Sequence, residues 1–159
     1  MFPVIVLMDD QNSSYRRSRR SSFGREINNI ELQFMTKIFL AIAGFLGALS
    51  VASGAFATHA LKDSLTVKAL EIWETATKYQ MYHVLALLLV ALLLTQTEIA
   101  DSSLNIAGWA FIIGIVVFSG SLYALSLTGI KWLGAITPLG GLAFIVGWIS
   151  IAIAAWGME

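Results

Sequence analysis

The sequence predicts an all-α membrane protein with four transmembrane helices and an interfacial amphipathic helix between the first two. Three observations carry that expectation. Charged residues are only 13% of the 159-residue chain, about half the share of a soluble domain. Mean hydropathy is +0.76. The charges also leave four uninterrupted intervals, 38–61, 79–97, 102–130 and 132–158, of 24, 19, 29 and 27 residues. A helix needs about 20 mainly apolar residues to cross a bilayer core, and all four intervals fall within the usable range.

The same arithmetic excludes several classes. Four spans leave no room for a soluble catalytic domain. With no cysteine in the chain, disulfides, thiolate metal sites and iron–sulfur clusters are ruled out. No Gly-rich phosphate loop stands between a strand and a helix, so nucleotide binding of the soluble kinds has no support.

Residues 1–34 read as a disordered basic extension. Residues 1–37 hold half of all charges, and Ser and Asn crowd between Arg16, Arg17, Arg19 and Arg20. Such a composition cannot bury a core. One reading is an arm that sits on anionic lipid or nucleic acid. The plainer reading, preferred here, is a mis-assigned start, with Met35-Thr36-Lys37 opening the working unit and no nucleic-acid partner. The four-helix domain is then 35–159.

Span one is expected over about 38–58. Gly44, Ala48 and Ala52 fall four apart, as do Ser50, Gly54 and Thr58, a spacing that lets helix backbones approach closely in lipid. Packing inside the bundle is the preferred use of these faces, and self-association the alternative. In residues 62–78, Leu61, Leu65, Ala69, Trp73 and Ala76 recur at helical steps. Glu74 and Lys78 form an i,i+4 pair on another face. This is the amphipathic segment, capped by Asp63 or Ser64, with Trp73 and Tyr79 at headgroup level. It bends into span two, about 79–95. Span three covers about 104–127, with hydroxyls at Ser119 and Ser121. Span four covers about 132–156, and Pro138 followed by Gly140 and Gly141 predicts a kink or break.

Few residues could carry chemistry. His59 and His83 are the only histidines. Two histidines on different helices can ligate haem or a metal, or move a proton, yet two alone fall short of zinc's usual ligand count. The plainer reading is interfacial histidines bonded to tyrosine, glutamine or carbonyls. The candidate cluster is His59, Glu74, Tyr79, Gln80, His83, Ser119, Tyr123 and Pro138. No catalytic residue, cofactor or metal is assigned, because Ser119 and Ser121 lack an identifiable base.

Four motifs in order carry a resemblance: Gly54-Ala55-Phe56-Ala57-Thr58-His59-Ala60-Leu61, Thr75-Ala76-Thr77-Lys78-Tyr79-Gln80-Met81-Tyr82-His83, Phe118-Ser119-Gly120-Ser121-Leu122-Tyr123 and Gly134-Ala135-Ile136-Thr137-Pro138-Leu139-Gly140-Gly141. The set resembles the small membrane family that includes bacterial YgdD-like proteins and eukaryotic transmembrane protein 256 (domain of unknown function 423). The likeness runs from about Met35 to Gly157. It departs at the prefix, which the family pattern lacks, and at Ala57, where the family usually has glycine. The resemblance implies a four-helix protein of the cell membrane and transfers no catalytic residue.

The expected function is non-enzymatic: a membrane helper, a structural subunit or a transport component. Its partners would be the lipid bilayer and other membrane proteins, or a second copy through Gly/Ala faces. The alternative is an enzyme or haem/redox subunit using the His59/His83 region. Orientation obeys the positive-inside rule. Counted from Met35, one side offers only Lys37 and the other Lys62, Lys68, Lys78 and Lys131, so both termini lie outside. Counted from Met1 the balance reverses to six against four. A cytoplasm-dependent fluorescent reporter fused after Glu159 should stay dark in a chain beginning at Met35. A bright signal would refute that orientation.

Overall fold

The computed structural model describes residues 3–96 and 102–157, and within them the chain is helical, with no strand. The helices are α1 (Pro3–Phe56), α2 (Val67–Leu94), α3 (Ser102–Gly114), α4 (Gly120–Thr128) and α5 (Leu133–Gly157). Single π-helical turns at Ala57–Leu61 and Ile115–Ser119 end α1 and join α3 to α4. Four stretches are long and apolar enough to cross a membrane: Ser22–Leu61, Val67–Leu94, Ser102–Thr128 and Leu133–Gly157. Residues 97–101, most of the expected 96–103 loop, lie outside the described residues, as do residues 158–159 and the side chains of Arg16, Arg17, Arg20 and Arg25.

Several expectations are corrected. Helix α1 does not begin near residue 38 but runs back to Pro3, through the stretch whose composition predicts disorder. Proline is tolerated at a helix's first turn, and a helix anchored by its packed half extends at one bond per residue. The helical part of residues 62–78 is not separate from span two. It is the first half of α2, which continues without Gly or Pro to Leu94. The cap is Thr66, whose Oγ1 accepts from the Ala69 N–H at 3.2 Å, rather than Asp63 or Ser64. Trp73 is buried against the neighbouring helices. The Glu74–Lys78 pair forms, at 3.7 Å between exposed side chains. Pro138 produces no break, since α5 is continuous from Leu133 to Gly157. It stands in the second turn, where its ring removes one bond while later turns remain intact.

One small-residue face of α1 is also turned differently from expectation. Gly44, Ala48 and Ala52 are exposed, and a Cβ added at Gly44 would meet nothing within 4 Å. The second stripe does face the bundle through Ser50 and Gly54, both against Thr77 of α2, and Gly47 lies against Val84. Lipid and protein interior are equally apolar, so small residues alone do not reveal which way a helix faces.

The core has two parts. At one end Phe39, Leu87, Val90, Leu94, Leu104 and Phe111 are fully buried. At the other, Ala57, Leu61 and Trp73 pack with Leu65, Leu70 and Tyr123. Glycines seat phenylalanine rings between the helices. A Cβ at Gly108 would overlap the Phe39 ring, one at Gly114 the Phe144 ring, and one at Gly147 the Phe111 ring. Gly129 ends α4 in the left-handed region at φ 69°, and its N–H donates to the Leu125 carbonyl at 2.9 Å. That glycine cap reverses the chain within a few residues, so α4 and α5 are antiparallel neighbours.

Candidate functional site

Most of the cross-helix bonds of the spans fall on the N-terminal half of α2, between Ala69 and Gln80. Toward α1, three bonds succeed one another at helical steps. The Trp73 Nε1–H donates to the Ser53 carbonyl at 3.0 Å, Ser50 Oγ donates to the Thr77 carbonyl at 3.1 Å, and Gln80 Nε2 donates to the Leu46 carbonyl at 2.8 Å. Toward α4, Ser126 Oγ donates to the Ala69 carbonyl at 2.7 Å and Ser119 Oγ to the Ala76 carbonyl at 2.9 Å. Donors and acceptors thus repeat seven residues apart on both antiparallel helices, which holds one face against the other. Between them the Tyr123 hydroxyl lies 2.9 Å from Gln80 Oε1 and 3.1 Å from Thr77 Oγ1. Ser121 Oγ meets Thr137 Oγ1 at 2.8 Å and ties α4 to α5.

The π-turn sets this register. The Gly120 N–H reaches back to the Ile115 carbonyl, one residue further than in an α-helix. The added residue rotates α4 by about 100° relative to an uninterrupted helix. Ser119, Tyr123 and Ser126 then share the face toward α2.

His83 occupies a second constellation, an aromatic box. Its ring stacks on Phe144 with centroids 3.4 Å apart and planes 5° from parallel. Tyr79, Phe111 and Trp148 surround it. Nδ1 lies 2.8 Å from the Tyr79 carbonyl, which can only accept, so that nitrogen carries the proton. Nε2 then accepts from the Trp148 indole N–H at 3.4 Å. Both nitrogens of a neutral imidazole are therefore engaged inside the protein.

Of the sequence-derived candidates, Gln80, Ser119 and Tyr123 belong to the polar seam. Tyr79 and His83 meet on one face, as their spacing predicts. Three do not join them. Glu74 is exposed and paired with Lys78, Pro138 is exposed on α5, and His59 is exposed in the π-turn after α1. The α1–α2 register, Ser53 beside Trp73 and Leu46 beside Gln80, sets His59 near the level of Val67. His83 is sixteen residues farther along α2, about 24 Å at 1.5 Å per residue. One metal or haem iron cannot be shared by the two. Among the described residues no three of His, Asp and Glu gather as a metal site.

Sequence reasoning places Ser50 on a packing stripe without giving it a bond, and misses Thr77, Ser126, Thr137 and Trp148. A signal exists for one of them. Ser119, Tyr123 and Ser126 recur at i, i+4 and i+7, a hydroxyl stripe along one face of span three.

A double-mutant cycle tests the seam. Gln80→Leu and Tyr123→Phe should couple by about 0.6 kcal/mol, with a ceiling of about 1.7, the range for hydrogen bonds between membrane helices. Reversible unfolding in mixed micelles measures it, and strict additivity would refute the bond between these side chains.

The chain matches the family described as "Protein of unknown function (DUF423)" over residues 53–141. It is 48% identical over 118 residues to a UPF0382 membrane protein of Staphylococcus epidermidis, covering 74% of this chain and 94% of the relative. It is 47% identical over 119 residues to the UPF0382 membrane protein YwdK of Bacillus subtilis, covering 75% and 96%. A UPF0382 membrane protein of Staphylococcus saprophyticus is 45% identical over 120 residues, covering 76% and 98%. No solved structure matches. The matched family region takes in the π-turn, Gln80, His83, Ser119 and Tyr123. With four membrane-spanning helices and relatives of this kind, the chain is a multi-pass membrane protein that belongs to the DUF423 family.

Proposed function

We propose that this chain is a non-catalytic membrane subunit, a small helper that docks another membrane protein along α1. The observation that carries this reading is the destination of the polar groups. Gln80, Ser119, Ser126, Tyr123 and Trp73 end on neighbouring helices, and His83 on Tyr79 and Trp148. A transporter or enzyme keeps polar side chains aimed at its substrate. Here they cross-tie helices, which supports a structural role. The outward Gly44, Ala48 and Ala52 supply a face of the sort that admits a second helix closely.

A photo-reactive residue introduced at Ala48 should give a defined cross-linked product in native membranes, whereas one at the buried Ala43 should give none. Equal products at both positions, or none at Ala48, would count against the reading. So would a purified protein with a Soret band that disappears in His83→Ala, which would favour the redox alternative.

A further inference from the structure

One group of polar side chains stands apart from the seam. A cavity of about 300 Å³ lies between α1 and the end of α2, lined by Asn29, Gln33, Thr36, Lys37 and Thr95 over walls of Leu32 and Leu94. Asn29, Gln33 and Lys37 recur at i,i+4 steps, with Thr36 beside them, so the four share one face of α1. The Thr95 hydroxyl is already engaged, donating to the Leu92 carbonyl at 2.6 Å. Among the described residues, the side chains of Asn29, Gln33, Thr36 and Lys37 hold no hydrogen bond or ion pair. In the seam, by contrast, Gln80, Ser119 and Ser126 bond across helices. Here they face a shared space.

We propose that this cavity binds the phosphate-bearing headgroup of an anionic phospholipid. Its charge favours an anion, because Lys37 supplies an ammonium, the neighbours supply neutral amide and hydroxyl donors, and among the described residues no carboxylate is in the lining. Its depth favours a lipid over a soluble anion. Lys37 is the last charge before the interval 38–61, and Leu94 lies near the end of the interval 79–97. The cavity therefore sits at the boundary between hydrocarbon and headgroups. Polar lining over leucine walls suits a molecule with a charged head and an apolar tail, and basic pockets between membrane helices recognise lipid heads in this way. Its size is at the lower end of small-molecule sites.

Native mass spectrometry of the full chain, released from detergent with phosphatidylglycerol or phosphatidylcholine added, tests this. The wild type should retain one phosphatidylglycerol in preference to phosphatidylcholine. Lys37→Gln should lower that retention about five-fold, the weight of one basic residue near an anionic surface, and Lys37→Arg should preserve it. Lys68→Gln, which removes an exposed lysine near the start of α2, should leave retention unchanged. Lys37 is exposed, so the substitution does not disturb the core. Equal retention by wild type and Lys37→Gln would overturn the site. Displacement of the lipid by excess inorganic phosphate would overturn the lipid as occupant and assign the cavity to a free phosphate instead.

Discussion

Truncating Trp73 to alanine should destabilise the bundle by about 4 kcal/mol, the range for removing a buried tryptophan. Three losses coincide at this residue. Its ring packs 4.5 Å from that of Tyr123 and 6.0 Å from that of Phe56. Its indole N–H is the outermost of the three bonds that tie α2 to α1. It is also the largest side chain of the buried Ala57–Leu61–Trp73 cluster, so its removal empties the centre of that cluster. Trp156, 91% exposed, is the matched comparison, and its truncation should change stability little. Equilibrium unfolding of both variants in the same micelles checks the pair. Similar stabilities would mean that the α1–α2 end is held by something other than Trp73.

The substitution Gly140→Ala should be nearly as damaging, at about 3 kcal/mol, although it adds a single methyl group. A Cβ there would run into the Phe118 backbone N–H, with Phe118 Cβ and Cα at 2.7 and 2.8 Å. Backbone cannot rotate away as a ring can, so α5 must lift off the π-turn. That movement also disturbs the Ser121–Thr137 contact and the stacking of Phe144 on His83. Gly44→Ala is the control, since a methyl group there meets nothing within 4 Å. A Gly140→Ala protein as stable as Gly44→Ala would refute the close contact between α5 and the turn.

The four spans are legible in the sequence because charge is excluded from hydrocarbon, and a gap between charges is a direct trace of that exclusion. The facing of each helix is not legible. Outward Gly44 and inward Gly47 look alike in sequence because both surroundings are apolar. The continuity of α2 is hidden because the polar residues Lys68, Glu71 and Glu74 mark a change of solvent. They do not mark a change of backbone, and nothing between Val67 and Leu94 interrupts the helix. For the candidate site, residue type finds Gln80, Ser119 and Tyr123, since a long polar side chain within a span must find a partner. It groups His59 with His83 by setting both near one end of spans one and two. Antiparallel pairing of α1 with α2 carries them apart, and only register reveals that. The π-turn has no sequence signature, since Ile115–Ser119 is as apolar as the turns before it.

The two-part core has a consequence for how the protein meets membranes of different thickness. The end around Ser53, Trp73 and Ser126 is laced by directional bonds that fix both spacing and angle. The end around Leu94, Leu104 and Ala154 rests on contacts without direction, which tolerate sliding and tilt. The later spans contain 28, 27 and 25 residues, so each spans the hydrocarbon with length to spare. When a bilayer thins or thickens, the cost of mismatch, fractions of a kcal/mol per Å, falls on whichever end yields first. The expected result is that a change of tilt is accommodated near Leu104 while the bonded end near Trp73 keeps its spacing.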